Sequence, residues 1–165
     1  DEGDLPAERR DEVLNALALD RIEVADVMVP REEVVALSTR NPPEESLATI
    51  REQAHTRFVL VEADLDDPVG VVYVPALVRS WAALGGDDSL RAIASDLVTV
   101  SPDLPVSDLI DRLQEAGQEV ALVVKDGRTV GLVTATDGFE TVAGELTDPL
   151  DEETAARERR GARAR

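Results

Sequence analysis

The sequence repeats itself, and this internal duplication constrains the fold more than any other feature. The two halves match at an offset of roughly sixty residues. The matched pairs are Ser38 with Ser101, Ala54 with Ala116, Val61 with Val123 and Gly70 with Gly131. Each half reads strand–helix–strand–strand–helix, and a unit of that size buries too little apolar surface to be stable alone. We therefore expect an α+β fold of two βαββα repeats, packed sheet to sheet around a pseudo-twofold axis with two related clefts between them.

Apolar runs and helical spacing place the elements of each half. Strands are predicted at 34–37, 58–61 and 69–74, and again at 98–100, 120–124 and 129–133. Helices are predicted at 44–54, 75–84 and 106–116, with an earlier one ending near Leu19 and a last one starting at Asp137 or Gly138. Between two strands, Asp64, Asp66 and Asp67 predict a solvated acidic turn, since the Gly and Glu of a calcium loop are missing.

Composition limits the chemistry. Of the 165 residues, 43% are apolar but only 2% are aromatic, so the core must be aliphatic. The chain has no Cys and a single His, which excludes disulfides and argues against a zinc site. A phosphate-cradling P-loop is also missing, because Lys125 is followed by Asp126. We therefore expect no catalytic residues and no protein-held metal.

The formal net charge of −18 argues against a nucleic-acid partner, because a phosphate backbone would be repelled. The acidic excess is typical of a halophilic host. At about 1 M salt the Debye length is near 3 Å, so the repulsion between the acidic side chains is largely screened. An ordinary acidic surface explains it equally well. No apolar run reaches the roughly 18 residues that span a bilayer, so this chain is expected to be soluble, even as one piece of a longer membrane protein.

Thr134 and Asp137 stand three residues apart where an apolar strand turns into a helical pattern. A carboxylate at such a turn can accept two hydrogen bonds from the hydroxyls of a ribose. Alternatively, Asp137 caps the helix that follows. Both interpretations stay open, since one carboxylate has lone pairs for both.

The duplication allows the two expected clefts to be compared. One cleft would hold His55, Arg57, Thr134 and Asp137. The other would hold their counterparts, which are Gly117, Glu119, Tyr73 and Ala76. Only the first set has a ribose acceptor and a cation for a phosphate, whereas Glu119 would repel one. We therefore expect any nucleotide to bind in the first cleft alone.

The chain resembles a tandem CBS-domain pair, or Bateman module, and more specifically the cytosolic pair of the CorC/HlyC and CNNM membrane proteins. Five segments carry the resemblance, which covers about residues 8–153. They are Asp-Val-Met-Val-Pro-Arg at 26–31, His-Thr-Arg at 55–57, Gly-Val-Val-Tyr-Val at 70–74, Gly-Leu-Val-Thr-Ala-Thr-Asp at 131–137, and the closing run at 142–152.

The resemblance implies a site for an adenine nucleotide, usually ATP with Mg²⁺. In this chain Thr134 and Asp137 would hold the ribose, Arg57 would face the phosphates, and His55 would lie near the nucleotide. The module would form a homodimer through its CBS pairs. It would regulate divalent-cation transport, of Mg²⁺ for example, by a membrane domain of the same parent chain, at the cytoplasmic face of the membrane. The alternative is a structural dimerisation module that binds no ligand.

The resemblance also predicts boundaries and shows two departures. The expected parts are an N-terminal helix and linker at 1–23, the first CBS repeat at 24–86, the second at 87–153 and a tail at 154–165. The family often has Thr where this chain has Val29, and an acidic residue where it has Thr136.

Overall fold

The computed structural model describes residues 20–84 and 90–136, which form an α+β fold with two sheets, as the duplication predicts. The elements up to residue 84 are α1 (Val24–Val27), β1 (Val29–Pro30), a 3₁₀ turn (Arg31–Glu33), β2 (Ala36–Ser38), α2 (Pro43–Glu52), β3 (Arg57–Val61), β4 (Pro68–Tyr73) and α3 (Val74–Leu84). From residue 90 onwards they are α4 (Leu90–Ile93), β5 (Val98–Val100), α5 (Val106–Ala116), β6 (Val120–Lys125) and β7 (Arg128–Thr134). The predicted first and last helices and the C-terminal tail lie outside the described residues.

The two sheets share one topology, which confirms the duplication. In the first sheet β2 runs parallel to β3, and β4 pairs antiparallel on the other side. In the second, β5 runs parallel to β6, and β7 pairs antiparallel on the other side. The second sheet carries one more strand, because the short β1 pairs with β7.

The segment that leads into each sheet pairs with a strand of the opposite sheet. Val29 of β1, which comes before β2 of the first sheet, pairs with Leu132 of β7 in the second sheet. Ser95, which comes before β5 of the second sheet, bridges to Val71 of β4 in the first sheet. These segments can approach β7 and β4 closely because each of the two strands has a glycine at the contact. A Cβ on Gly131 would lie 2.5 Å from the Val29 carbonyl oxygen, and one on Gly70 would lie 2.5 Å from that of Ser95.

The core is aliphatic, as the composition predicts, with Phe58 the one aromatic side chain among the buried residues that the structure describes. The first sheet packs on α2, α3 and α4, the second packs on α1 and α5, and a third cluster joins the sheets. Its buried members are Val59, Val61, Leu65 and Leu122. The central strands β3 and β6 therefore contact each other between the repeats. None of the described helices is long and apolar enough to cross a bilayer.

Candidate functional site

A cleft of about 470 Å³ opens between the two halves, where β3 begins and β7 ends. The first half contributes His55, Thr56 and Arg57 to its polar lining. The second half contributes Glu119, Thr134 and Thr136. Within each half the strand register aligns the ends that carry these residues, since Arg57 pairs with Tyr73 and Val120 pairs with Thr134. The packing of β3 against β6 then brings the two ends together.

Three of the four residues selected from the sequence line this one cleft. His55 and Arg57 approach from the first half, and Thr134 approaches from the second. Asp137 lies outside the described residues, which end at 136. The binding roles of all four remain predictions, but the sequence selected residues that the fold brings to one place.

Arg57 is already engaged by neighbouring side chains. Its Nη1 lies 2.9 Å from Glu119 Oε2, and its guanidinium carbon lies 4.6 Å from the centre of the Tyr73 ring. The guanidinium is thus held by an ion pair and a cation–π contact together. Only 29% of the Arg57 side chain is exposed, against 59% of that of Glu119.

The assignment of Glu119 to a separate second cleft was therefore wrong, because Glu119 lines the cleft that holds Arg57. Arg57 and Glu119 occupy equivalent positions at the starts of the two central strands. Because β3 and β6 pack together at the pseudo-twofold axis, equivalent positions near the axis face each other rather than lie in separate clefts. Tyr73 contacts Arg57 because the two residues are neighbours across β3 and β4.

One wall of the cleft is apolar. Val29, Val34, Val35 and Leu132 line it, and such a surface suits the faces of an aromatic base. Val29 and Thr136, the two departures from the family pattern, both line this cleft. Of these two substitutions, Val29 adds apolar surface where a hydroxyl is usual, and Thr136 removes a negative charge.

His55 marks the outer edge of the cleft. The residue is exposed, and its ring packs edge-on against buried Phe58, with the ring centroids 6.0 Å apart. A neutral imidazole in that position has one donor and one acceptor nitrogen to offer a ligand.

The described residues do not provide a dedicated metal site. No group of three or more His, Cys, Asp or Glu side chains among them could hold an ion. Two carboxylates, those of Glu33 and Glu119, line the cleft. Mg²⁺ accepts one or two carboxylates together with substrate phosphates, so Glu33 fits an ion that would arrive with a polyphosphate.

A second cross-link joins the halves away from the cleft, and the sequence analysis missed it. Arg31 Nη1 donates to Asp66 Oδ1 at 2.6 Å and to the Thr129 carbonyl oxygen at 2.7 Å. The Thr129 N–H donates to Asp66 Oδ1 at 2.8 Å, and its hydroxyl donates to the Leu65 carbonyl oxygen at 2.6 Å. We call these three residues, Arg31, Asp66 and Thr129, the clamp.

Asp64, Asp66 and Asp67 are exposed, as the predicted solvated turn requires, but Asp66 also accepts the hydrogen bonds of the clamp. The hydrogen bond from Arg31 holds the pKa of Asp66 below its ordinary value, and the backbone N–H of Thr129 lowers that pKa further. The same hydrogen bond raises the pKa of Arg31. Nothing in the local sequence signals the clamp, since Asp66 and Thr129 stand 35 and 98 residues from Arg31.

A second cavity, of about 640 Å³, lies near the clamp. Arg31, Arg40 and Asp64 line it, and all of its lining residues fall between 31 and 65. It belongs to the first half and is not a symmetric counterpart of the cleft between the halves.

Comparison with known proteins agrees with this architecture. Residues 90–144 match the CBS domain family. The CBS domain of a bacterial CNNM/CorC family Mg²⁺ transporter, solved in complex with ATP, is 27% identical, with a TM-score of 0.73 over 83% of this chain and 98% of that one. A CBS-domain pair with bound AMP from Klebsiella pneumoniae is 26% identical, with a TM-score of 0.67 over 74% of this chain and 99% of that one.

A protein named "Possible hemolysin C" from Rickettsia akari is 29% identical over 148 residues, 88% of this chain and 49% of that protein. The chain spans between about a third and a half of the length of such curated relatives. Its fold and these matches define a tandem CBS-domain pair. It is similar to the CBS pairs of CorC/HlyC–CNNM proteins. CBS domains are regulatory rather than catalytic modules, and these similarities indicate no catalytic family.

Proposed function

We propose that the cleft between the repeats binds an adenine nucleotide, ATP with Mg²⁺, and that this binding regulates a membrane domain in the same parent chain. One observation carries the proposal: His55, Arg57 and Thr134 line a single cleft with an apolar wall. Structurally similar CBS pairs hold ATP in one case and AMP in another.

Each residue has a chemical part in this proposal. The Thr134 hydroxyl and the Asp137 carboxylate would bind the ribose hydroxyls, and the valine-lined wall would receive the adenine ring. Arg57 would turn its guanidinium to a phosphate, for which it has a matching fork of donors. Mg²⁺ would bind chiefly to the phosphates and lower their charge in this acidic chain.

The proposal extends to the partners. The parent protein would move a divalent cation, Mg²⁺ in the first instance, with this module at the cytoplasmic face of the membrane. Two modules would form a homodimer through their CBS pairs, and the 58% exposed Val78 on the outer helix α3 offers apolar surface for that contact. Sedimentation at the mass of one 17.8 kDa chain would contradict the dimer.

Calorimetric titration with ATP and Mg²⁺ tests the site. We expect Asp137→Ala to weaken binding about ten- to a hundredfold, because hydrogen bonds to a charged group contribute about 1.5–3 kcal/mol. Thr134→Val should weaken it about two- to tenfold, as for one neutral hydrogen bond. Thr99→Val is the matched control, since Thr99 is exposed on β5 away from the cleft. Unchanged affinity in Asp137→Ala would refute the ribose assignment.

One observation favours a second function, a ligand-free dimerisation module. Arg57 already has a carboxylate and an aromatic ring as partners, so it does not need a phosphate. Thermal unfolding separates the two functions, because a ligand at 100 times its dissociation constant stabilises a protein by about 2.7 kcal/mol. Absence of any shift with ATP, ADP or AMP, with and without Mg²⁺, would favour the structural module.

A further inference from the structure

The charges in the cleft are unusual for a site that would receive a polyphosphate. Among the described lining residues Arg57 is the only Arg or Lys, while Glu33 and Glu119 are both carboxylates. One formal positive charge therefore faces two negative ones. The one cation is also engaged, since Glu119 Oε2 lies 2.9 Å from Arg57 Nη1.

A carboxylate and a phosphate compete for the same donors. Both are oxyanions that accept charge-assisted hydrogen bonds from the guanidinium fork. Glu119 thus occupies the position at Arg57 that a phosphate oxygen would take. The pair can exchange, because Glu119 is 59% exposed and its carboxylate can turn to solvent.

After such an exchange Glu119 would remain beside the ligand as an uncompensated negative charge. Its repulsion would grow with the charge of the phosphate chain, since the Coulomb energy is proportional to the product of the two charges. Free ATP would suffer most and AMP less. Adenosine, which has no phosphate, would not be affected.

Resting on the proposed function, we propose that Glu119 determines the nucleotide specificity of the cleft by competing with the phosphate chain for Arg57. It sets the preference between nucleotides by their phosphate charge. Tyr73, stacked on the guanidinium at 4.6 Å, keeps Arg57 in place while its anion changes.

The test is a calorimetric series with Glu119→Gln, which keeps the shape of the side chain and removes its charge. We expect affinity for ATP in EDTA to rise about tenfold, and affinity for AMP or for ATP with Mg²⁺ to rise about threefold or less. Adenosine should bind as it does to the wild type. Glu115→Gln, an exposed position on α5 outside the cleft lining, is the matched control for the change in net charge.

A double-mutant cycle shows whether the effect passes through Arg57. In an Arg57→Gln background, Glu119→Gln should improve ATP binding much less than it does in the wild type. An equal gain in both backgrounds, or an equal gain for adenosine and ATP, would overturn the competition. So would equal nucleotide preferences in the wild type and Glu119→Gln, although the proposed function would then stand.

The proposed function fails separately. Should neither the wild type nor Glu119→Gln bind adenosine, AMP or ATP under any condition, the nucleotide site itself is refuted, and the specificity role with it. Binding of ATP by Glu119→Gln but not by the wild type would be the strongest form of the expected result.

Discussion

The clamp and the cleft pair connect the repeats at different places. In the clamp, the Arg31–Asp66 pair belongs to the first half and bonds to Thr129 of the second, whereas in the cleft Arg57 and Glu119 come from different halves. Thr129, in the clamp, and Thr134, in the cleft, stand at the two ends of β7, roughly 17 Å apart at the usual rise of a strand. At the clamp, Asp66 accepts from Arg31 and from the Thr129 backbone, and Arg31 also donates to a carbonyl oxygen. At the cleft, Arg57 and Glu119 meet through one ion pair beside an aromatic ring.

The difference lies in what would remain if a pair opened. Opening the clamp would leave backbone groups of Thr129 without their partners, which is costly for part-buried polar groups. Opening the cleft pair would expose two side chains that water can solvate, Glu119 being 59% exposed and Asp66 only 31%. We therefore expect the interface to stay closed at the clamp, whereas at the cleft Arg57 can exchange Glu119 for another anion. A ligand acts only through a difference in affinity between two arrangements, and the cleft end is where such a difference is available.

The largest expected effect comes from the close contact between β1 and β7, which lies next to Arg31 in the chain. Gly131→Ala should destabilise the protein by about 1–3 kcal/mol, because the new Cβ would press on the Val29 carbonyl oxygen. The sign is diagnostic, since replacing a strand glycine by alanine otherwise stabilises by about 0.5–1 kcal/mol. Urea unfolding measures the change. Gly70→Ala, with the same 2.5 Å approach to Ser95, should behave alike, and stabilisation by either variant would contradict the crossed arrangement.

A smaller loss is expected from the clamp itself. Asp66→Asn should lower the melting temperature at pH 7, because the Arg31 ion pair loses its charge. The pKa of Asp66 is lowered in the folded state, so its contribution is complete above about the ordinary value of 3.8 and is lost as the pH falls through the lowered pKa.

The difference in melting temperature between wild type and Asp66→Asn should therefore shrink as the pH is lowered below about 4. The exposed neighbour Asp67 supplies the control, since Asp67→Asn makes the same chemical change in the same turn. A wild-type advantage over Asp66→Asn that persisted unchanged at the lowest pH would show that charge is not what the clamp uses.

The sequence predicted the repeats, the order of strands and helices in each half and the aliphatic core, because these follow from periodicity and composition. It also placed His55, Arg57 and Thr134 in one cleft, because the strand ends that carry them are set by the duplicated topology. The clamp could not be predicted in the same way. Its side chains come from three distant segments, and their pairing depends on how the two sheets pack.

Glu119 shows a second limit of sequence reasoning. Aligning the halves correctly identified Arg57 and Glu119 as equivalent positions. An alignment does not say how far an equivalent pair lies from the symmetry axis, and that distance decides whether the two residues occupy separate clefts or meet. Their 2.9 Å ion pair follows from the packing of β3 against β6, which only the three-dimensional structure shows.

The smallest expected effect sharpens the contrast between the two ends of the interface. Glu119→Gln should change the free energy of unfolding by less than about 1 kcal/mol, as is usual for exposed ion pairs. Urea unfolding in 0.1 M and 1 M salt measures it without adding a charged denaturant. The change should nearly vanish in 1 M salt, where the Debye length falls to about 3 Å. The loss caused by Asp66→Asn should persist in part, because the Asp66 side chain is only 31% exposed and salt screens a partly buried pair less. If Glu119→Gln lowered the free energy of unfolding as much as Asp66→Asn at both salt concentrations, the Arg57–Glu119 pair would itself be important for stability. A phosphate could then not displace Glu119 without weakening the fold.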